Sequence, residues 1–246
     1  ANLTLRLSMI SRILDREQRK VLADERQALS RLQLALSRFD TAEADLVVLQ
    51  NSILQLDELF LVVIVGEFNA GKSALINALL GLQLVREGVT PTTTNIQFIQ
   101  HGTAAEGSSD GPISTLTAPI DLLEEVNFVD TPGTNAISRE HEAITLDFIP
   151  RSDLVLFVTS ADRPFTESER AFMEKIKNWG KKIIVVVNKV DILRDSQEVE
   201  DIERYVSENV EQTLGFKPVL FSVAARETLR AKLGEGTSLT ETNRFA

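Results

Sequence analysis

Cysteine is absent from this 246-residue chain. Neither a disulfide framework nor a thiolate metal site is therefore possible, which fits a reducing compartment such as the cytoplasm. No apolar run approaches the roughly 20 residues that span a bilayer. The N-terminus also lacks the charged and apolar blocks of a signal peptide. We therefore expect a soluble, cytoplasmic segment, in which peripheral membrane contact depends on other parts of a longer protein or on a partner.

Basic charge is also scarce, because 26 Lys and Arg stand against 36 Asp and Glu and give a formal net charge of −10. This balance argues against broad electrostatic binding to nucleic acid or anionic lipid. The apolar content of 43% and the charged content of 25% are typical of a globular protein. The length allows one full α/β domain plus an appendage.

Glycine and proline are both missing from residues 2–57. Apolar residues recur there at spacings near three and four, which predicts helix. One long helix or a hairpin of two is possible, and Asp40 or Thr41 could cap the second helix. We expect residues 1–57 to be a helical segment, part of a neck or bundle. Its apolar stripe needs a partner: the following domain, parts of the protein outside this sequence, or another subunit.

Strand and helix patterns alternate over residues 58–234, which predicts an α/β fold with a doubly wound, mostly parallel sheet. The predicted strands are 59–65, 95–101, 125–129, 153–159, 182–187 and 218–223. The predicted helices are 71–80, 138–149, 166–179, 196–214 and 225–233. Gly, Ser and Asp cluster over residues 102–112, which predicts a loop. Residues 235–246 are polar and read as a C-terminal linker at which we expect the chain to be truncated.

The octapeptide GEFNAGKS, residues 66–73, fits the phosphate-binding pattern G-x-x-x-x-G-K-[ST] between an apolar strand and a helix. Backbone N–H groups of such a loop ring nucleotide phosphates at the positive end of the helix dipole. Lys72 would reach the β- and γ-phosphates, and the Ser73 hydroxyl would bind Mg²⁺. The alternative is a glycine-containing turn that matches by chance.

A second motif, Asp130-Thr131-Pro132-Gly133, follows the predicted strand 125–129. An Asp at this strand end can hold the Mg²⁺ shell of a nucleotidase. Gly133 has no Cβ, so its backbone N–H can approach a γ-phosphate closely. Loss of that contact after hydrolysis would release the loop behind it.

A third motif, Asn188-Lys189-Val190-Asp191, follows the predicted strand 182–187 and indicates the base. The Asp191 carboxylate can accept hydrogen bonds from the N1–H and 2-amino groups of guanine, whereas adenine offers no such pair of donors. The Lys189 stem can pack along the base plane. Asn188 can tie this loop back to the phosphate loop.

Two weaker segments complete the pattern. Residues 88–94, GVTPTTT, lie before the second strand, where a Thr hydroxyl could complete the Mg²⁺ shell; a β-prone polar run is the alternative. Residues 221–225, FSVAA, end the last strand, where small residues would let backbone N–H groups face the guanine oxygen.

The order and spacing of these five segments resemble a translation-factor-related GTPase domain. More narrowly, VGEFNAGKS, GVTPTT, VDTPGTN and SADRPFTESE are similar to bacterial dynamin-like and chloroplast Fzo-like proteins, which are relatives of mitofusins in the dynamin family. The resemblance covers about residues 59–233. It implies GTP hydrolysis coupled to self-association through the GTPase face and to remodelling or fusion of membranes. It also makes Thr93 the expected switch threonine.

The predicted partners are therefore GTP or GDP, Mg²⁺ and a second copy of the chain, with membrane contact through parts outside it and no nucleic acid. The predicted nucleotide-binding residues are Gly66, Glu67, Phe68, Asn69, Ala70, Gly71, Lys72, Ser73, Ala74, Asp130, Gly133, Asn188, Lys189, Asp191, Ser222, Val223 and Ala224. The predicted metal ligands are Ser73, Thr93 and Asp130, and the predicted catalytic residues are Asn69, Lys72, Thr93 and Gly133.

No Gln follows the DTPG motif to orient the attacking water, because Thr134 and Asn135 stand there. Backbone groups and Thr93 would have to place that water. Asn69 resembles the residue that recruits a potassium ion in some GTPases in place of an arginine finger. The alternatives are a loop-shaping role for Asn69 and an internal arginine, Arg86 or Arg139.

The sequence is compatible with three functions. The first is a dynamin-like GTPase that works on membranes. The second is a regulatory GTPase of ribosome or tRNA metabolism, which predicts basic patches that this acidic chain lacks. The third is an interaction module that binds nucleotide without turning it over.

Overall fold

The computed structural model describes residues 16–36, 60–87, 96–110, 113–133 and 148–234. The chain divides into two compact units, Ala1–Leu59 and Phe60–Ala246. The first unit contains helix α1 (Arg16–Leu36). The rest of the predicted helical segment lies outside the described residues, so its assignment as a neck or bundle stays a prediction. None of the helices described is long and apolar enough to cross a membrane.

The second unit is built on a sheet of eight described strands. In chain order these are β1 (Phe60–Val65), β2 (Ile96–His101), β3 (Glu106–Asp110), β4 (Ile113–Ala118), β5 (Val126–Asp130), β6 (Leu154–Ser160), β7 (Lys182–Asn188) and β8 (Val219–Val223). Their order across the sheet is β3-β4-β2-β5-β1-β6-β7-β8. Strands β5, β1, β6, β7 and β8 are mutually parallel. Strand β2 is antiparallel to β5, and the predicted mostly parallel α/β sheet is confirmed.

Four described helices cover the two faces of this sheet: α2 (Lys72–Leu80), α3 (Glu167–Lys177), α4 (Ser196–Leu214) and α5 (Ala225–Lys232). Apolar side chains of α3 and α4 pack with Leu61, Val63 and Val65 of β1 on one face. Those of α2 and α5 pack with Val62 and Ile64 on the other face. Strand β1 is therefore buried on both sides, which explains its continuously apolar sequence.

The parallel arrangement brings the carboxyl ends of β1, β5, β7 and β8 to one edge of the sheet, where α/β folds bind their ligands. Each of these strand ends carries one of the motifs predicted to bind nucleotide. The sheet topology alone thus gathers segments that lie far apart in the sequence.

The predicted loop over residues 102–112 is wrong, because strand β3 lies within it and pairs with β4 in an antiparallel hairpin. Residues 106–108 are exposed, so β3 is an edge strand that is held by backbone hydrogen bonds and shows no apolar alternation. Strand β4 was likewise not predicted. The predicted helix 138–149 lies, except for its last two residues, outside the described part of the chain.

Candidate functional site

The phosphate loop joins β1 to α2, and close packing requires its two glycines. A Cβ on Gly66 would lie 2.0 Å from the carbonyl oxygen of Val158, and one on Gly71 would lie 2.2 Å from Nδ2 of Asn188. Gly71 also has a φ of 90°, in the region that favours glycine. Any side chain at either position would displace the loop from the neighbouring strands.

Lys72 begins α2 and folds its side chain back into the loop. Its Nζ donates hydrogen bonds to the carbonyl oxygens of Gly66 at 3.1 Å and Glu67 at 3.0 Å. Burial lowers the pKa of Lys72, and the nearby carboxylates of Asp130, Glu169 and Glu67 act in the opposite direction. A buried ammonium at a helix N-terminus, beside loop N–H groups, is suited to a polyphosphate.

Ser73 and Asp130 meet next to Lys72, although they come from α2 and from the end of β5. The Ser73 hydroxyl donates to Oδ2 of Asp130 at 2.6 Å. Asp130 is fully buried, and its Oδ1 has no hydrogen-bond partner among the described residues. Burial raises the pKa of Asp130, while Lys72 and the Ser73 hydroxyl lower it.

This pair fits a magnesium ion. A hydroxyl that donates its hydrogen to Asp130 keeps its lone pairs for a cation, and an unpartnered buried carboxylate oxygen can accept from a cation-bound water. Mg²⁺ is commonly held by one or two protein oxygens together with substrate phosphates. The third predicted ligand, Thr93, lies outside the described residues.

Gly133 lies against the phosphate loop. A Cβ on Gly133 would come within 2.3 Å of the backbone nitrogen of Phe68. The sequence suggested that a glycine is needed here for contact with phosphate, and the structure adds a second reason, close backbone packing. Thr131 fixes the start of this segment, since its Oγ1 donates to the Ile64 carbonyl at 2.8 Å.

Asn188 connects three parts of the site. Its Nδ2 donates to the carbonyl oxygens of Ala70 at 3.0 Å and Gly71 at 3.3 Å. Its Oδ1 accepts from the backbone N–H of Ala225 at 3.2 Å. The predicted tie between Asn188 and the phosphate loop is thus confirmed, and the same side chain also holds the turn after β8.

The remaining residues predicted to bind the base follow β7 or end β8. Lys189 has a φ of 64°, and its Nζ lies 3.3 Å from Oδ1 of Asp162. Asp191 is exposed in the 3₁₀ turn Val190–Ile192. Residues 222–224 are buried at the end of β8, and the Oγ of Ser222 has no hydrogen-bond partner among the described residues.

Asn69 is exposed at the tip of the loop with a φ of 64°. Asn tolerates this left-handed conformation better than most residues, which supports the loop-shaping alternative. Thr134, Asn135 and Arg139, named in connection with hydrolysis, lie outside the described residues. Arg86 is exposed.

The sequence reasoning named Glu67 as part of the loop but missed its side-chain contacts with helix α3, and it missed Glu169. Glu67 accepts hydrogen bonds from Thr166 Oγ1 at 2.6 Å and from Ser168 Oγ. Glu169 is buried in the first turn of α3, and burial is the main cause that raises its pKa to about 7. The T-x-x-E pattern of Thr166 and Glu169 is a capping box, in agreement with the predicted start of this helix at residue 166. It could not have revealed the contact with the loop.

Together, the strand-loop-helix phosphate site, the Ser73–Asp130 pair and the Asn188 bridge on a mostly parallel sheet define a P-loop GTPase fold. The chain belongs to the GTPase family described as "50S ribosome-binding GTPase", whose profile matches residues 61–189. Family membership confirms the predicted enzyme class and implies guanine nucleotide as the ligand.

Individual relatives confirm the predicted resemblance to dynamin-like and FZO-like proteins. A probable transmembrane GTPase, FZO-like and chloroplastic, from Arabidopsis thaliana is 45% identical over 192 residues, 74% of this chain and 21% of that protein. GTPase Der from Streptococcus uberis is 29% identical over 180 residues, 70% of this chain and 37% of that protein. This chain therefore spans well under half the length of either relative.

A solved chain of an oligomerised bacterial dynamin pair has the same fold. It superposes with a TM-score of 0.63 at 17% identity, covering 93% of this chain and 42% of that one. At this identity the likeness concerns the fold alone.

Proposed function

We propose that this chain binds GTP and GDP with Mg²⁺, hydrolyses GTP to GDP and phosphate, and serves as the GTPase part of a dynamin-like protein. The observation that carries the proposal is the 2.6 Å hydrogen bond between Ser73 and Asp130 beside the buried Lys72. This hydroxyl, carboxylate and ammonium are the groups that a Mg²⁺-bound triphosphate requires.

In the proposed complex, Lys72 exchanges its two loop carbonyls for β- and γ-phosphate oxygens, while the loop N–H groups of residues 66–74 surround the phosphates. Ser73, Thr93 and Asp130 would hold the Mg²⁺. The ion would neutralise charge on the phosphate oxygens. Gly133 would contribute its backbone N–H at the γ-phosphate, and Thr93 would help to orient the attacking water.

Base recognition is proposed for the opposite side of the Asn188 bridge. Asp191 would accept from guanine N1–H and the 2-amino group, and the Lys189 stem would pack on the base plane. Backbone N–H groups of Ser222, Val223 and Ala224 would face the guanine oxygen. Because Asn188 bonds to both the phosphate loop and the turn after β8, the two halves of the site are held in one geometry.

The dynamin-like part of the proposal is supported by the 45% identity to the FZO-like relative, whose name describes it as a transmembrane GTPase. We infer a cycle in which the nucleotide state controls self-association through the GTPase face and, through it, membrane remodelling or fusion. The second candidate is a regulatory GTPase of ribosome or tRNA metabolism, favoured by the family's description and by the similarity to GTPase Der. The net charge of −10 weighs against that candidate.

Phosphate release from GTP tests the enzymatic part. We expect turnover with Mg²⁺ and loss of turnover in EDTA, because Asp130 would then lack the ion that links it to the phosphates. Release no faster than in a protein-free control, with guanine nucleotide still bound, would instead indicate a binding module.

The same assay in potassium and sodium buffers tests the cation role proposed for Asn69. We expect faster turnover in potassium, and an Asn69→Ala variant that no longer distinguishes the two salts. Equal wild-type rates in both buffers would leave Asn69 with a role in loop shape alone.

Flotation of the full-length protein with liposomes, and sedimentation with ribosomes, separate the two candidate functions. We expect lipid binding that differs between GTP and GDP, and no ribosome binding above background. Nucleotide-dependent sedimentation with ribosomes, without lipid binding in any nucleotide state, would favour the regulatory GTPase.

A further inference from the structure

The phosphate loop is attached to helix α3 through the side chain of its second residue, Glu67. Thr166, the N-cap of α3, donates its Oγ1 hydrogen to Glu67 at 2.6 Å, and Ser168 in the first turn donates to the same oxygen. Glu67 lies about one hundred positions before these partners in the sequence. The loop is therefore held from one side by α3 and from the other by Asn188.

A second carboxylate lies beneath this contact. Glu169 is only 1% exposed and accepts from Thr159 Oγ1 at 2.9 Å and from the backbone N–H of Thr166 at 3.0 Å. A hydrogen bond from the backbone N–H of Glu67 also acts on its carboxyl group. Glu169 thus holds the loop backbone while it caps the helix.

Helix capping by itself does not account for this arrangement. Thr166 and Glu169 already complete a capping box for α3, and that box needs no side chain from Glu67. An acidic side chain next to a polyphosphate site is electrostatically unfavourable, and the positive end of α3 offsets only part of this. A role in holding the loop explains why a carboxylate stands here.

The helix that receives the loop is itself anchored. Arg170 Nη2 donates to Oδ1 of Asn209 at 2.7 Å, and Lys177 Nζ donates to the Thr213 carbonyl at 2.8 Å, both in α4. The loop is therefore attached to two helices that are bonded to each other. A movement of the loop together with α3 would have to break the contacts between α3 and α4.

We propose that Glu67 and Glu169 are positioning residues for nucleotide binding: with Thr166 and Ser168 they form a carboxylate clamp that fixes the phosphate loop at its second residue, Glu67, beside Lys72. The inference rests on the proposed function for its ligand, a guanine nucleotide. The carboxylates of Glu67 and Glu169 both act on Lys72, since each raises the pKa of Lys72 against the effect of burial.

The clamp has a pH signature. The pKa of Glu169 is raised from 4.5 to about 7, mainly by burial, so its neutral form is favoured in the folded protein. This contribution to stability is complete below pH about 4.5 and is lost as the pH rises through about 7. The ionisable groups that act on it through the loop and α2 are Glu67 and Lys72. A bound diphosphate adds negative charge nearby and should disfavour the ionised form further.

Binding of a fluorescent GDP derivative with Mg²⁺, measured from pH 6 to 8, tests the clamp. Glu67→Ala should weaken binding about tenfold, because charge-assisted hydrogen bonds to the loop are lost. Glu169→Gln should flatten the pH dependence of the dissociation constant relative to wild type, because it cannot ionise. Thr166→Val should weaken binding, because it removes the hydroxyl that donates to Glu67. Thr166→Ser should keep the wild-type affinity, because it retains that hydroxyl.

Glu167→Gln is the matched control. Glu167 lies in the same turn of α3, its side chain is 88% exposed, and its ion pair with Arg170 is at the surface. The variant should bind within about twofold of wild type and keep the wild-type pH profile.

The wild-type arm separates the two proposals. If wild type binds GDP while Glu67→Ala and Glu169→Gln match it in affinity and pH profile, the clamp is only a helix cap and the inference is wrong. If wild type binds no guanine nucleotide, the proposed function fails and the inference fails with it. Glu67→Ala keeps the test decisive even if Glu169→Gln does not fold, because Glu67 is a partly exposed loop residue.

Discussion

Asp191→Asn is expected to shift the preferred base from guanine to xanthine, with the affinity for GDP falling about 10²–10³-fold. The carboxylate can accept from both N1–H and the 2-amino group of guanine. An asparagine amide offers one acceptor and one donor, so its donor would face the 2-amino group without a bond. Xanthine carries an oxygen at that position and would accept this hydrogen.

The fold should tolerate this change. Asp191 is exposed, and its 3₁₀ turn is held by backbone bonds, from Ile192 N–H to Lys189 at 3.2 Å and from Leu193 N–H to Val190 at 3.1 Å. Competition of GDP, XDP and ADP for a fluorescent GDP derivative measures the shift.

Asp195→Asn is the matched control for base choice. Asp195 is an exposed aspartate four positions further on that caps α4 by accepting from Glu198 N–H at 2.9 Å. Asn caps helices about as well as Asp, so this variant should keep both its fold and its guanine preference. Retention of guanine preference by Asp191→Asn would show that Asp191 does not read the base.

The parts of this fold that rest on local signals could be predicted from the sequence. Helix α4 was predicted with its observed bounds, because Asp195 supplies an N-cap and Gly215 a left-handed C-cap. The bounds of the buried parallel strands were predicted to within one residue, because continuous runs of apolar, β-branched residues are typical of strands that are buried on both faces of a sheet. The hairpin β3–β4 was missed because β3, Glu106–Asp110, is held by backbone pairing at an edge and not by apolar burial.

The same distinction separates the motif residues of the site from the carboxylate clamp. Lys72, Asp130 and Asn188 lie in short motifs at strand ends, and a parallel sheet brings such ends together without further information. Glu67 and Glu169 meet only through the packing of α3 on the sheet. Glu67 lies about one hundred positions from Thr166 and Glu169 in the sequence, so no local sequence pattern could indicate these contacts.

Lys72→Ala is expected to weaken nucleotide binding by about two orders of magnitude and to reduce GTP turnover to background. Lys72 is 7% exposed, so its ammonium would meet the phosphates in a site where charge interactions are little screened. The variant also removes the cation that lowers the pKa of Asp130. Asp130 would then hold a proton more readily, which weakens Mg²⁺ binding as well.

Calorimetric titration with Mg²⁺ and GDP, together with phosphate release from GTP, measures both effects, and Lys232→Ala supplies a matched control. Lys232 is a lysine of α5 whose Nζ donates to the Ala78 carbonyl of α2 at 2.8 Å and whose pKa is also lowered by burial. Its loss should destabilise the packing of α5 on α2 and leave the affinity for GDP within about twofold. Turnover by Lys72→Ala at the wild-type rate would contradict the proposed role of the loop, whereas equal losses in both variants would trace the effect to the fold and not to the phosphate contact.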